Sequence, residues 1–155
     1  MQTIRNGDVT TFNVPQALAD LNGALAVSQL PAGLPFQASV VNLTAQAASI
    51  GVTTLFSVVT SGFYRITAEI VRTQIATTSS TLPSLTLAWT DGNNSAAGST
   101  ALFATNSTNT LVAVTPLQLI VYAKAGTNIT YTTSGYASSG TTPMQYALRI
   151  KCEQL

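Results

Sequence analysis

From Phe36 onward, apolar residues return at every second position in short runs, and turn residues break the runs apart. That period belongs to β-strands buried on one face. Over Phe63–Arg72, Tyr64, Ile66, Ala68 and Ile70 share one face, while Arg65, Thr67 and Glu69 share the other. Leu85, Leu87 and Trp89 alternate with Thr86, Ala88 and Thr90, which makes Trp89 a core residue. At the C-terminal end, Met144, Tyr146, Leu148, Ile150 and Cys152 oppose Gln145, Arg149, Lys151 and Glu153. The turns are Ser61-Gly62, Asp91-Gly-Asn-Asn, Lys124-Ala-Gly126 and Ser139-Gly140. Short strands at this spacing predict an all-β antiparallel sandwich of the jelly-roll kind over residues 36–155, with no helix in it.

Two runs are apolar on both faces. Leu55 and Val59 oppose Phe56 and Val58, and Ile120 and Tyr122 oppose Leu119 and Val121. A two-sheet sandwich covers one face of each sheet, so the second face of such a strand calls for another cover. Charge is scarce as well: 7% of residues are Asp, Glu, Lys or Arg, against about 25% in an ordinary soluble domain. Surface buried between copies of a chain needs few charges. Ile120 and Tyr122, with Leu55 and Val59, are therefore the candidate contacts between copies. The net charge of +1, with its cations scattered, gives no basic patch and argues against nucleic-acid and anionic-membrane partners.

Residues 1–35 follow another pattern. Asn6-Gly7 lies between short β-tending runs, a hairpin signal. Pro15 to Gly23 reads as a short helix capped by Asn13, with Leu18, Leu21 and Leu25 on one edge. A helix this short needs a surface to dock on. The segment is thus an expected arm, with Leu18, Leu21 and Leu25 as its anchor. MQTIRNGDV has no apolar signal-peptide core, and no run reaches membrane-span length.

Gly62-Phe-Tyr-Arg-Ile-Thr67, Leu119-Ile-Val-Tyr-Ala-Lys-Ala-Gly126 with Asn128-Ile-Thr-Tyr131, and the closing Tyr146-Ala-Leu-Arg-Ile150 occur in that order. Together they resemble the trimeric jelly rolls of the complement-head and tumour-necrosis-factor superfamily. Ala76-Thr-Thr-Ser-Ser-Thr-Leu-Pro-Ser and Gly135-Tyr-Ala-Ser-Ser-Gly-Thr-Thr-Pro-Met144 are more similar to small bacteriophage virion proteins that carry this fold as a capsid decoration or a tail-fibre head. The resemblance covers roughly residues 50–155 and implies a homotrimer on a virus particle. It brings no animal receptor with it, because fold alone does not carry function.

Chemistry is thinly represented. The chain has no His, which removes every His-based triad, general base and zinc ligand. Cys152 falls on an apolar strand face and reads as a buried thiol. The five acids, Asp8, Asp20, Glu69, Asp91 and Glu153, are dispersed, and a glycosidase needs two facing one bond. Asp91-Gly92-Asn93-Asn94-Ser95 lacks the distal carboxylate of a calcium loop. The sequons at Asn42, Asn93, Asn106 and Asn128 are what a chain rich in Asn, Ser and its 25 Thr contains by chance. No catalytic residue, metal or cofactor is expected. Tyr131 and Tyr136 flank the loop Thr132–Thr142, the place for a receptor or glycan contact. The expectation is a trimeric capsid cement protein that grips the major capsid protein, with a receptor- or glycan-binding tail-fibre head as the alternative. Only about 35 residues precede the strands, whereas fibre heads usually follow a long shaft, which favours the cement reading.

Overall fold

The computed structural model describes residues 35–112 and 116–155. The expected Asn6-Gly7 hairpin, the Pro15–Gly23 helix and the Leu18, Leu21 and Leu25 edge lie outside the described residues. Pro35–Leu155 form one compact unit.

Among the described residues, ten strands follow in chain order: β1 Phe36–Gln46, β2 Thr53–Ser57, β3 Gly62–Gln74, β4 Ser79–Thr81, β5 Ser84–Thr90, β6 Ala97–Phe103, β7 Leu117–Ala123, β8 Asn128–Ser134, β9 Ala137–Ser139 and β10 Gln145–Gln154. One four-stranded sheet has the order β1-β10-β3-β7 and a second the order β2-β8-β5-β6, while β4 and β9 form a small ribbon. All the ladders are antiparallel. The described residues contain no helix. The described residues are thus all-β, with antiparallel sheets in a sandwich-like arrangement.

The core is made by the period-two faces. Tyr64, Ile66, Ala68 and Ile70 of β3 and Tyr146, Leu148, Ile150 and Cys152 of β10 are buried with Leu85 and Leu87 of β5 and Ile129 of β8. Each large apolar side chain buried there contributes about 1.5–3 kcal/mol before ordering costs. Burial pushes the Cys152 thiol up to about 11, with the nearby Glu153 carboxylate adding to the shift. Trp89 packs half-buried against this core. Its ring lies over Gly98, where a Cβ would come within 2.4 Å of the indole. The Lys124-Ala-Gly126 turn relies on Gly126 at φ +76°.

Two expectations about sidedness are corrected. Leu55 is buried in the protein's own core rather than turned outward. A register shift between Thr54 and Phe56 in the β2–β8 ladder interrupts the alternation there. Phe56 also turns toward the interior, its ring 5.6 Å from that of Tyr64. Tyr131 is buried as well: β8 runs through to Ser134, so Tyr131 is a core position on a strand and not a loop flank.

The alternation along β3 carries one charge inward. Arg72, two positions past Ile70, is 1% exposed. Its Nη1 donates to the carbonyl of Thr110 at 2.6 Å and to that of Thr108, its Nη2 to that of Asn106 at 2.9 Å, and its Nε to Met144 Sδ at 3.2 Å. Desolvation lowers its pKa from the ordinary arginine value.

Candidate assembly interface

The outer face of the β1-β10-β3-β7 sheet gathers most of the domain's charge and much of its exposed apolar surface. Cross-strand register sets the neighbours. Glu153 stands opposite Arg65, and Arg65 opposite Ile120; Phe63 stands opposite Tyr122. Arg65 Nη2 lies 2.7 Å from Glu153 Oε2, and Lys151 Nζ lies 2.7 Å from Glu153 Oε1. Arg149 Nη1 meets Glu69 Oε2 at 2.9 Å. Hydrogen bonds from Lys151 and then Arg65 hold the Glu153 carboxyl below the usual carboxylate range. Surface pairs of this kind contribute little stability on their own. Their consequence is different: the strip neutralises most of its own charge, so covering it strands little unpaired charge.

Around the strip the surface is apolar. Phe63 is 55% exposed, Ile120 51% and Val40 53%. The rings of Phe63 and Tyr122 meet edge to face with centroids 5.0 Å apart. Tyr122 is itself half-buried, with its ring close over Gly92. An open groove of about 350 Å³ runs on the same face past Val40, Thr67, Glu69, Arg149 and Lys151.

Of the residues expected between copies, the fold brings Ile120 and Tyr122 onto this face. Val59 lies beyond the end of β2 and is 82% exposed, while Leu55 is in the core. Phe63 was missed by sequence reasoning. Its parity with Arg65 and Glu69 was readable, but its pairing with Tyr122 needs the β3–β7 register. The expected receptor residues do not come together on the surface. Tyr131 is buried, and Tyr136 is half-buried, with its hydroxyl donating to the Met144 carbonyl at 2.7 Å and its ring 6.2 Å from Tyr146.

Asp91 is engaged within its own loop. Asp91 Oδ1 accepts the backbone N–H groups of Asn93 at 2.9 Å and Asn94 at 3.1 Å, which closes that loop on itself. Among the described residues, no three His, Cys, Asp or Glu side chains gather as a metal site would require.

No protein-family model matches the chain, and no curated protein matches it in sequence. Among solved structures, the chain is similar to the crystal structure of a pentameric capsid protein isolated from metagenomic phage sequences, at 17% identity and a TM-score of 0.35. That similarity covers 88% of this chain and 72% of the other. No residue role is carried across from it.

Proposed function

We propose that the chain is a non-enzymatic structural protein of a virus particle, a homotrimeric jelly roll that decorates the outer surface of the capsid. The observation that carries this reading is the outer face of the β1-β10-β3-β7 sheet. Exposed Phe63, Ile120 and Val40 surround charges that are already paired among themselves. Monomeric proteins seldom leave a large apolar surface open to water. A second copy laid on this face covers the apolar groups and meets little unpaired charge. Two four-stranded antiparallel sheets that exchange strands along the chain support the jelly-roll reading. The threefold state rests on the resemblance of Gly62–Thr67, Leu119–Gly126 with Asn128–Tyr131, and Tyr146–Ile150 to the trimeric jelly rolls of the complement-head and tumour-necrosis-factor superfamily. The virion location and the major capsid protein as partner rest on the resemblance of Ala76–Ser84 and Gly135–Met144 to small bacteriophage virion proteins.

The experiment is light scattering on the purified full chain, where a particle of three chain masses is expected. Ile120→Asp and Phe63→Asp place carboxylates on exposed positions of the face, so they should yield monomers with an unchanged far-ultraviolet spectrum. A wild-type monomer that persists at about 10 μM, a concentration at which obligate interfaces are formed, overturns the assembly reading. Electron cryo-microscopy of the native particle tests the location, and a capsid surface without this density overturns it.

A further inference from the structure

The outer face of the β1-β10-β3-β7 sheet carries two features of opposite shape. The first is a knob. Phe63 is exposed, with its ring standing edge to face on that of Tyr122. Tyr122 is in turn seated on Gly92, where a Cβ would come within 2.4 Å of its ring. The Gly92 N–H donates to the Tyr122 carbonyl and the Leu155 N–H to the Phe63 carbonyl, both at 3.0 Å. The knob is therefore held in place before anything covers it. The second feature is a hole, the groove of about 350 Å³ between Val40, Thr67, Glu69, Pro116, Arg149 and Lys151. Val40 stands opposite Lys151 and Lys151 opposite Thr67, so these side chains share the outer side with Phe63.

The charges of the hole are already paired, Arg149 with Glu69 at 2.9 Å and Lys151 with Glu153 at 2.7 Å. To an entering side chain it offers Val40 and Pro116, the carbon stems of Arg149 and Lys151, and a guanidinium plane on which an aromatic ring can stack. Knob and hole cannot meet within one chain. Thr67 lies four positions along β3 from Phe63, roughly 13 Å at the rise of a strand, and the Arg65–Glu153 pair stands between them. Val40 on β1 and Ile120 on β7 are also three strand steps apart. Over three steps the twist of a sheet turns its surface by about 60–75°. Features turned away from each other in this way fit poorly in a reciprocal twofold pair. They join copies head to tail instead, which closes into a ring.

We infer that Phe63 of each copy enters the groove between Val40 and Pro116 of the next copy, so that one knob-in-hole contact repeats around the ring. The occupant is a second copy because a single chain supplies both halves of the fit. The knob is an aromatic anchor, the kind of residue that carries most of the energy of an interface. The hole takes it without stranding an unpaired charge beneath it. The inference rests on the assembly reading proposed above, and it adds which surface of one copy meets which surface of the next.

The test replaces Phe63 in the full-length protein with photoreactive p-benzoylphenylalanine, which keeps an aromatic knob. Ordinary and heavy-nitrogen chains are mixed, assembled and irradiated, so that mass spectrometry separates links between copies from links within one. Links between copies are expected on Val40–Asn42 and Arg149–Lys151, with a gel ladder that ends at three chains. Val40→Lys puts a charge into the hole at a sheet edge that tolerates one. It should cut these links at least about tenfold, with the far-ultraviolet spectrum unchanged. Links confined to the partner's Phe63–Ile120 region or to the other sheet, links unaffected by Val40→Lys, or an oligomer that forms no links between copies all overturn the inference and leave assembly standing. A ladder that ends at two chains overturns the ring. A ladder beyond three chains, with links on the expected segments, supports the contact and overturns the threefold state alone. A wild-type chain that scatters light as a monomer overturns the assembly reading and this inference with it.

Discussion

Arg72 is the residue with the most at stake in the described domain. Three backbone carbonyls converge on its guanidinium, and among the described residues no carboxylate pairs with it. Arg72→Met removes a buried charge but leaves those carbonyls without donors, so it should lower stability by about 2–4 kcal/mol in a urea titration. Arg72→Lys should recover little of this, because an ammonium group lacks the planar fork that reaches all three acceptors. The inward position of Arg72 was legible in the sequence, since it continues the parity of Tyr64, Ile66, Ala68 and Ile70. Its partners were not, because the carbonyls of Asn106, Thr108 and Thr110 come from more than thirty residues away and carry no side-chain signature. Tyr131 failed for a related reason: a Thr-rich strand and a Thr-rich loop look alike until cross-strand pairing with Leu87 fixes one of them.

Among the elements, β7 behaves as its alternation implies and β2 does not. Leu119, Val121 and Ala123 face inward while Ile120 and Tyr122 face outward. In β2 the register shift between Thr54 and Phe56 defeats simple counting, and Leu55 changes sides. A bulge of this kind depends on the partner strand and has no marker in a run as short as Thr53–Ser57. The β5–β6 pair gives a local test of packing. A Cβ at Gly98 would lie within 2.4 Å of the Trp89 ring, so Gly98→Val should displace the indole and cost about 1–3 kcal/mol. Tryptophan fluorescence reports this directly, since Trp89 is the one tryptophan in the chain.

At the scale of the whole molecule, the absence of His shapes the response to pH. No side chain of the molecule has its ordinary titration between about pH 5 and pH 8. Burial raises the pKa values of Tyr64, Tyr146 and Cys152, the last to about 11. A group raised in the folded state contributes stability that is complete below its unfolded pKa and is lost as pH climbs through the folded one. Glu153 is lowered, so its contribution is present at neutral pH and fades only as the solution becomes strongly acidic. Melting temperature should therefore stay level from about pH 5 to about pH 8 and fall as pH rises from about 9 through 11. A steep change near pH 6.5 would contradict this assignment. Deleting residues 1–34 should leave melting of the Pro35–Leu155 unit within a few degrees of the full chain, and on the anchor reading it should abolish capsid binding. The placement of cations within the β1-β10-β3-β7 sheet has one more consequence, for resistance to proteolysis. A trypsin-like protease cuts after Lys or Arg in chain it can pull into an extended, open form. Arg65, Arg149 and Lys151 sit in interior strands hydrogen-bonded on both sides, and Arg72 is buried. Lys124 is the one cation of the described residues that lies in a turn, with its Nζ on the Ser95 hydroxyl at 2.7 Å. Digestion of the folded domain should nick the Lys124–Ala125 bond or wait for unfolding, so the lifetime of the domain in protease-rich surroundings is set by how often the sandwich opens.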